Sequence, residues 1–201
     1  MDFAGVLRRR RMIRSYDAAR SVPPAAIDAV LAAALRAPSA GFTQGISLLV
    51  LSTDTERETF WRLTGCGDTS WLRGMRTAPV LVLIWTSEEA YLERYAQPDK
   101  GWTDRDPARW SAPYWFVDAG MASMAALLSA VDQHLAACFF GIPADRIAAV
   151  REHFGVPASQ LSVGVISLGY PAAVPEVRAI TSSPARRPRK APTELIHHGV
   201  W

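Results

Sequence analysis

A chain of 201 residues suits one domain, and 49% hydrophobic against 20% charged residues allows it a sizeable core. The net charge of +3 does not by itself argue for nucleic acid, because the basic residues gather at the two ends of the chain. Cys66 and Cys138 lie far apart and form no CxxC pair, which points to a reducing, cytoplasmic setting. The N-terminal residues show no apolar signal core, since four arginines at 8–11 follow directly on Val6 and Leu7.

Residues 2–11 read as a short helix with Asp2 as N-cap and Phe3, Val6 and Leu7 on one face. The basic run that follows, with Arg8, Arg9, Arg10, Arg11 and Arg14, repels itself unless an anion lies against it. It is either a solvated face or a phosphate site, for which arginine supplies forked donors. Only Tyr16 interleaves an aromatic with these cations, which ranks nucleic acid below a single phosphate.

A helix is expected from 21 to 36, with Pro23 and Pro24 at its start and Ile27, Val30, Leu31 and Leu35 in register. Pro38 ends it, and the small-residue loop APSAGFTQG leads into an apolar strand over 46–51. Such a loop lets a flat ligand lie on backbone, although most are simply turns. A helix over 53–63 follows, with Phe60 and Leu63 facing in. Next come a basic turn over 71–76, an apolar strand over 79–85 and a helix over 88–95. Residues 97–112 read as irregular. Trp102, Trp110, Tyr114, Trp115 and Phe116 in and after them either anchor the loop or wall a pocket for a planar substrate, for which Trp110, Tyr114 and Trp115 are the candidates.

The stretch 118–135 carries no charge between Asp118 and Asp132. Met121, Met124, Leu128, Val131 and Leu135 recur with helical spacing, and small residues occupy the other faces. A helix apolar or small on every side is buried on every side, either in a monomer core or in a dimer with Ala125 or Ala126 at the contact. The uncharged run is too short for a membrane span. A strand over 137–142, a helix over 143–154 capped by Gly155, a strand over 161–170 and a basic tail complete the chain. There is no GxGxxG after the first strand and no Walker loop, HExxH or GxSxG, and the four histidines have no metal-ligand spacing. Chemistry is therefore expected on a bound cofactor rather than on a side chain or metal.

Several short motifs stand in a telling order: RRMIR at 10–14, APSAGFTQ at 37–44, DAG at 118–120, LGYP at 168–171 and IHHGVW at the C-terminus. In that order they resemble the FMN-dependent nitroreductase family over nearly the whole chain. The resemblance implies one α+β domain with a mixed β-sheet flanked by helices and a long central helix. It further implies an intertwined homodimer whose C-terminal tail, from about residue 175 to 201, wraps the partner. FMN would lie at the dimer interface, held at its phosphate by Arg10, Met12 and Arg14. Met12 replaces the usual Ser, with Arg11 as the compensating donor. Pro38, Ser39 and Ala40 match the loop along the flavin. Phe42 stands where Asn is common, and Gln44 is retained. Arg73 falls beside the flavin pyrimidine, Phe140 and Gly141 match the backbone near flavin N5, and Arg187, Arg189 and Lys190 match the tail cations that return to the phosphate. The implied activity is hydride transfer from NADH or NADPH through FMN to a nitroaromatic, quinone or related acceptor, by a ping-pong cycle. The altered loop keeps other readings open: a flavin-dependent dehydrogenase of a small ligand, a flavin-processing enzyme or a non-catalytic flavin-binding protein.

Overall fold

Strand β2, Val80–Thr86, is buried at every position, and the fold is built on both of its faces. The computed structural model describes residues 2–65, 67–173 and 187–201. Met1, Cys66 and the stretch 174–186, which includes Arg186 and the first part of the expected tail, lie outside the described residues. Because strand side chains alternate, Val80, Val82 and Ile84 point to a layer formed by α2 (Pro24–Leu35) and α6 (Tyr114–Asp132). Leu81, Leu83 and Trp85 point to the opposite layer of α3 (Asp54–Thr64), α4 (Ser70–Arg76) and α7 (Ile147–His153). This double burial explains the unbroken apolar run in the sequence.

The sheet order is β1 (Ile46–Leu51), β2, β4 (Leu161–Gly169), β3 (Ala136–Phe140), with every neighbouring pair antiparallel. The sheet is therefore antiparallel rather than mixed as expected; the one parallel pairing among the described residues is an isolated bridge, Met12 to Ala137, beside β3. Two edges matter below: β1 closes one side of the sheet and β3 the other. Helix α1 spans Phe3–Arg9, and α5 spans Glu88–Tyr95 as the sequence predicts.

Three local expectations are corrected. The basic turn at 71–76 is the helix α4, because the Thr69 hydroxyl accepts the Leu72 N–H and caps it. The segment 143–154 splits into a 3-10 turn, Ala144–Arg146, and α7. The central helix begins at Tyr114, so Tyr114, Trp115 and Phe116 belong to its first turn rather than to the loop before it.

The expectation that the central helix is buried on every side also fails within one chain. Its small residues, Ala119, Ala122, Ser123, Ala126 and Ala130, face inward, where α2 and the sheet approach closely. Leu127 and Trp115 are buried with them, whereas both methionines lie outside: Met121 is 39% and Met124 46% exposed, beside exposed Phe116 and Val117. With 19 residues and a mean hydropathy of 1.3, α6 reaches the length of a membrane span, longer than the uncharged stretch suggested, but its inner face is committed to the core.

Helix α3 opens with a reciprocal cap. Thr53 Oγ1 accepts the Glu56 N–H, and the Glu56 carboxylate accepts the N–H groups of Thr53 and Ser52. The bond from the Thr53 N–H holds the Glu56 carboxyl below its usual range. A depressed folded value means that this contribution is present at neutral pH and is lost as the pH falls through that value. Thr53→Ala should cost about 1 kcal/mol in urea unfolding at pH 7. That variant keeps the backbone N–H at the position, so its cost should be nearly the same in acid. Glu56→Ala, which removes the acceptor, should instead cost less in acid than at pH 7, and an equal cost at both pH values would remove the carboxylate from the account.

Candidate functional site

Residues 10–14 leave α1 in an extended conformation and run beside β3. The Ile13 N–H donates to Ala137 O at 3.0 Å, and the Phe139 N–H donates to the Met12 sulfur at 3.4 Å. Extended backbone alternates its side chains, so Arg10, Met12 and Arg14 share one side and Arg11 and Ile13 the other. Arg10 is half-buried, and its Nη1 has no hydrogen-bond partner among the described residues. Arg14, also half-buried, spends one donor on Met12 O at 3.1 Å. A buried guanidinium nitrogen without an acceptor is costly, and a phosphate oxygen would satisfy it. Arg11 does not join them. Its Nη1 donates to Arg8 O and Arg10 O, and it lines a separate recess of about 200 Å³ with Arg9, Ile13 and His134. Arg11 thus lies on the other side of the strand from Arg10, Met12 and Arg14.

At the end of β3, Phe140 and exposed Gly141 meet α4. The Phe140 ring stacks on Trp61 at 5.7 Å and meets Trp71 edge-on at 5.6 Å. These rings, with Phe60, Leu72 and Ile142, wall a recess of about 230 Å³ beside Gly141. Helix α4 also carries Arg73, which is half-exposed and paired with Asp68 at 2.8 Å. The basic strand, the Phe140–Gly141 corner and α4 thus gather on the β3 side of the sheet.

The loop 37–45 stands on the opposite side, leading into β1. It contains the 3-10 turn Ala40–Phe42 and three left-handed residues: Gly41, Phe42 and Gln44, with φ of 62°, 55° and 54°. Phe42 is 76% exposed, although a left-handed backbone disfavours its side chain. The loop is held from several directions. Ser39 Oγ accepts the Gln44 N–H at 2.9 Å, Asp118 Oδ2 accepts the Ala40 N–H at 2.8 Å, and Arg94 Nε donates to Gly41 O at 2.7 Å. Pro38 and Gln44 are exposed, and Pro38, Ser39, Gln44 and Asp118 line a recess of about 190 Å³.

The aromatic loop resolves as an anchor. Trp110 packs against Tyr91, Tyr95, Trp102, Tyr114 and Trp115 with ring centroids 4.4–6.3 Å apart, so the rings fill their own space. Trp110, Tyr114 and Trp115 thus share one packing cluster, in which Trp115 is buried, Trp110 half-buried and Tyr114 exposed in part. Arg187, Arg189 and Lys190 are exposed in the tail beyond the stretch that lies outside the described residues. Among the described residues no group of acids, histidines and cysteines could hold a metal ion. Sequence reasoning missed Tyr91, Asp118, Trp61 and Trp71. Asp118 had left a signal, as the acid at the head of a charge-free stretch.

The family model for the nitroreductase family matches residues 7–67 and 66–170, and the chain belongs to that family. No match was found among curated proteins. Solved structures share the fold at low identity. A protein from Desulfovibrio desulfuricans, described as a nitroreductase and solved with FMN, is 21% identical with a TM-score of 0.72, over 100% of this chain and 98% of that one. One from Parabacteroides distasonis, described as an NADH dehydrogenase/NAD(P)H nitroreductase, is 20% identical with a TM-score of 0.71, over 99% and 98%. One from Clostridium acetobutylicum, described as an NADH oxidase, is 23% identical with a TM-score of 0.64, over 90% and 96%.

Proposed function

We propose that this protein is an FMN-dependent NAD(P)H oxidoreductase of the cytoplasm whose site is completed by two chains. One observation carries the reading. The residues expected at the flavin fall into two sets on opposite edges of one sheet: Arg10, Met12, Arg14, Phe140, Gly141 and Arg73 on the β3 side, and Pro38, Ser39, Ala40, Phe42 and Gln44 on the β1 side. Three strand spacings, about 14 Å, separate those edges. A second copy placed along the exposed Met121–Met124 face would bring the loop of one chain to the basic strand of the other.

The residues fit the cofactor. The orphaned Arg10 Nη1 and half-buried Arg14 match a phosphate, and the exposed backbone of Gly141, where an added Cβ would meet nothing within 4 Å, leaves room for a ring edge. FMN, when bound, accepts a hydride from a nicotinamide and returns it to a second substrate. The chain's part is to grip the phosphate, hold the loop against the ring and keep water from the reacting face. Arg73, beside the Phe140 corner, would stabilise negative charge on the reduced ring. The tail cations and the apolar residues Leu195, Ile196, Val200 and Trp201, all exposed here, would close over the partner. Nitroaromatics and quinones are the acceptor class, taken in turn with the nicotinamide at one site.

The test is anaerobic reduction of the FMN-loaded protein. NADH or NADPH should bleach the flavin absorbance within seconds to minutes, and a quinone or nitroaromatic should restore it. A flavin that neither nicotinamide bleaches would turn the reading toward dehydrogenation of another ligand or toward a flavin carrier.

A further inference from the structure

Asp118 is 3% exposed and forms no ion pair with any described residue. A carboxylate buried without a cation is costly unless hydrogen bonds replace its water. Two do so at a single oxygen: Oδ2 accepts the Ala40 N–H at 2.8 Å and the Tyr91 O–H at 2.7 Å. Tyr91 is fully buried, and burial together with the bond to Asp118 pushes its phenol far above the ordinary range, so it remains a donor.

Both partners belong to one device. Helix α5 presents Tyr91, Arg94 and Tyr95 to the loop 37–45. Arg94 donates to Gly41 O while its two Nη groups grip Asp99 at 2.7 and 2.8 Å. The two tyrosines lean on the loop's two glycines. A Cβ at Gly41 would lie 2.7 Å from Tyr95 Cε2, and one at Gly45 would lie 2.4 Å from Tyr91 Cε2. The Gly45 carbonyl accepts the Ser87 N–H and the Thr86 hydroxyl. The Thr86 hydroxyl also reaches Trp115 O of α6 at 3.0 Å and so links Gly45 to that helix indirectly. The direct hydrogen bond from the loop to α6 among these contacts is the one to Asp118, across 78 residues.

We propose that Asp118 is a positioning residue for the flavin-facing loop: with Tyr91 it fixes the backbone at Ala40, and through it the left-handed turn that holds Phe42 and Gln44 toward the ring end of the cofactor. The inference rests on the flavin reading above. It assigns to Asp118 no contact with the cofactor and no proton transfer. Its role is that of an acceptor, so the charge itself is dispensable. An asparagine Oδ1 has two lone pairs and can take both the Ala40 N–H and the Tyr91 O–H.

The test compares wild type with Asp118→Ala, Asp118→Asn and Tyr91→Phe. It reads amide exchange across 38–45 and binding of FMN and of riboflavin, with circular dichroism to establish folding. Asp118→Ala should lose protection at the Ala40 amide and bind both flavins weaker by the same factor, roughly fivefold, because the loss is at the ring end. Asp118→Asn should keep the protection and stay within about twofold of wild type. Should Asp118→Ala fail to fold, Tyr91→Phe carries the test, with a smaller loss, again equal for both flavins. The proposal is overturned if a folded alanine variant keeps its Ala40 protection, or if asparagine is as damaging as alanine. It is also overturned if FMN weakens while riboflavin does not. If wild type binds neither flavin, the flavin reading fails, and amide exchange alone still decides whether Asp118 holds the loop.

Discussion

Arg14→Ala should release FMN on dilution, Arg10→Ala should do the same, and Arg9→Ala should leave affinity nearly unchanged. The three arginines are close in sequence but differ in setting. Arg10 and Arg14 are half-buried on one side of an extended strand, and one Arg10 nitrogen is buried without an acceptor. Arg9 is exposed and lines the recess on the other side. A charge-assisted bond contributes roughly 1.5–3 kcal/mol, so each of the first two substitutions should weaken FMN by about tenfold to a hundredfold. Riboflavin lacks the phosphate. It should bind poorly to wild type and be almost indifferent to Arg14→Ala, the opposite of what is expected at Asp118. Flavin fluorescence on titration separates these outcomes. Equal losses for Arg9 and Arg14 would mean a diffuse basic surface and would end the phosphate assignment.

Met124→Glu should convert a dimer into monomers and strip it of flavin. Met124 is 46% exposed on the outer stripe of α6 with Met121, Phe116 and Val117, next to a core that its own chain already fills. Surrounding an unpaired carboxylate with the same stripe of a second copy leaves it desolvated with no cation to answer it. The folded monomer, in contrast, tolerates the charge, because the side chain faces water there. Ala126 is no substitute for this test. It is 4% exposed and packed inside the chain, so Ala126→Glu would damage the fold and the assembly together. Sedimentation of a cooperatively folded Met124→Glu variant reads the answer. An unchanged dimer with flavin still bound would move the interface to another face.

The architecture was readable because its signals are strong and local. The strand β2 announces itself as an apolar run, and β1 as the apolar run that follows a proline and a small-residue loop. The boundary of α6 was misread for a definable reason. Tyr114, Trp115 and Phe116 continue the aromatic composition of the preceding loop, and Pro113 offers no side-chain cap to mark the start. The larger error was to treat every apolar residue of α6 as inward. Periodicity finds stripes, but it does not say which stripe packs. Here the alanines, with Leu127, took the core against α2 and the sheet, and the methionines were left outside.

At the site, motif order located the basic strand and the loop, but not how they are arranged. That Arg11 turns away from Arg10 follows from extended backbone, which the helical and charged context of 8–11 concealed. That the two halves sit on opposite edges follows from strand order, which no local pattern encodes. The Asp118–Tyr91–Ala40 contact joins three elements distant in the chain, and its sign in the sequence was a single acid at the head of a charge-free stretch.

The claim that one chain carries only half of each site is tested most directly by native mass spectrometry of the purified protein at low micromolar concentration. The account predicts a dimer carrying two FMN molecules, with no flavin on any monomer present. A monomer that retains FMN, or a dimer that takes up none when FMN is supplied, would contradict it.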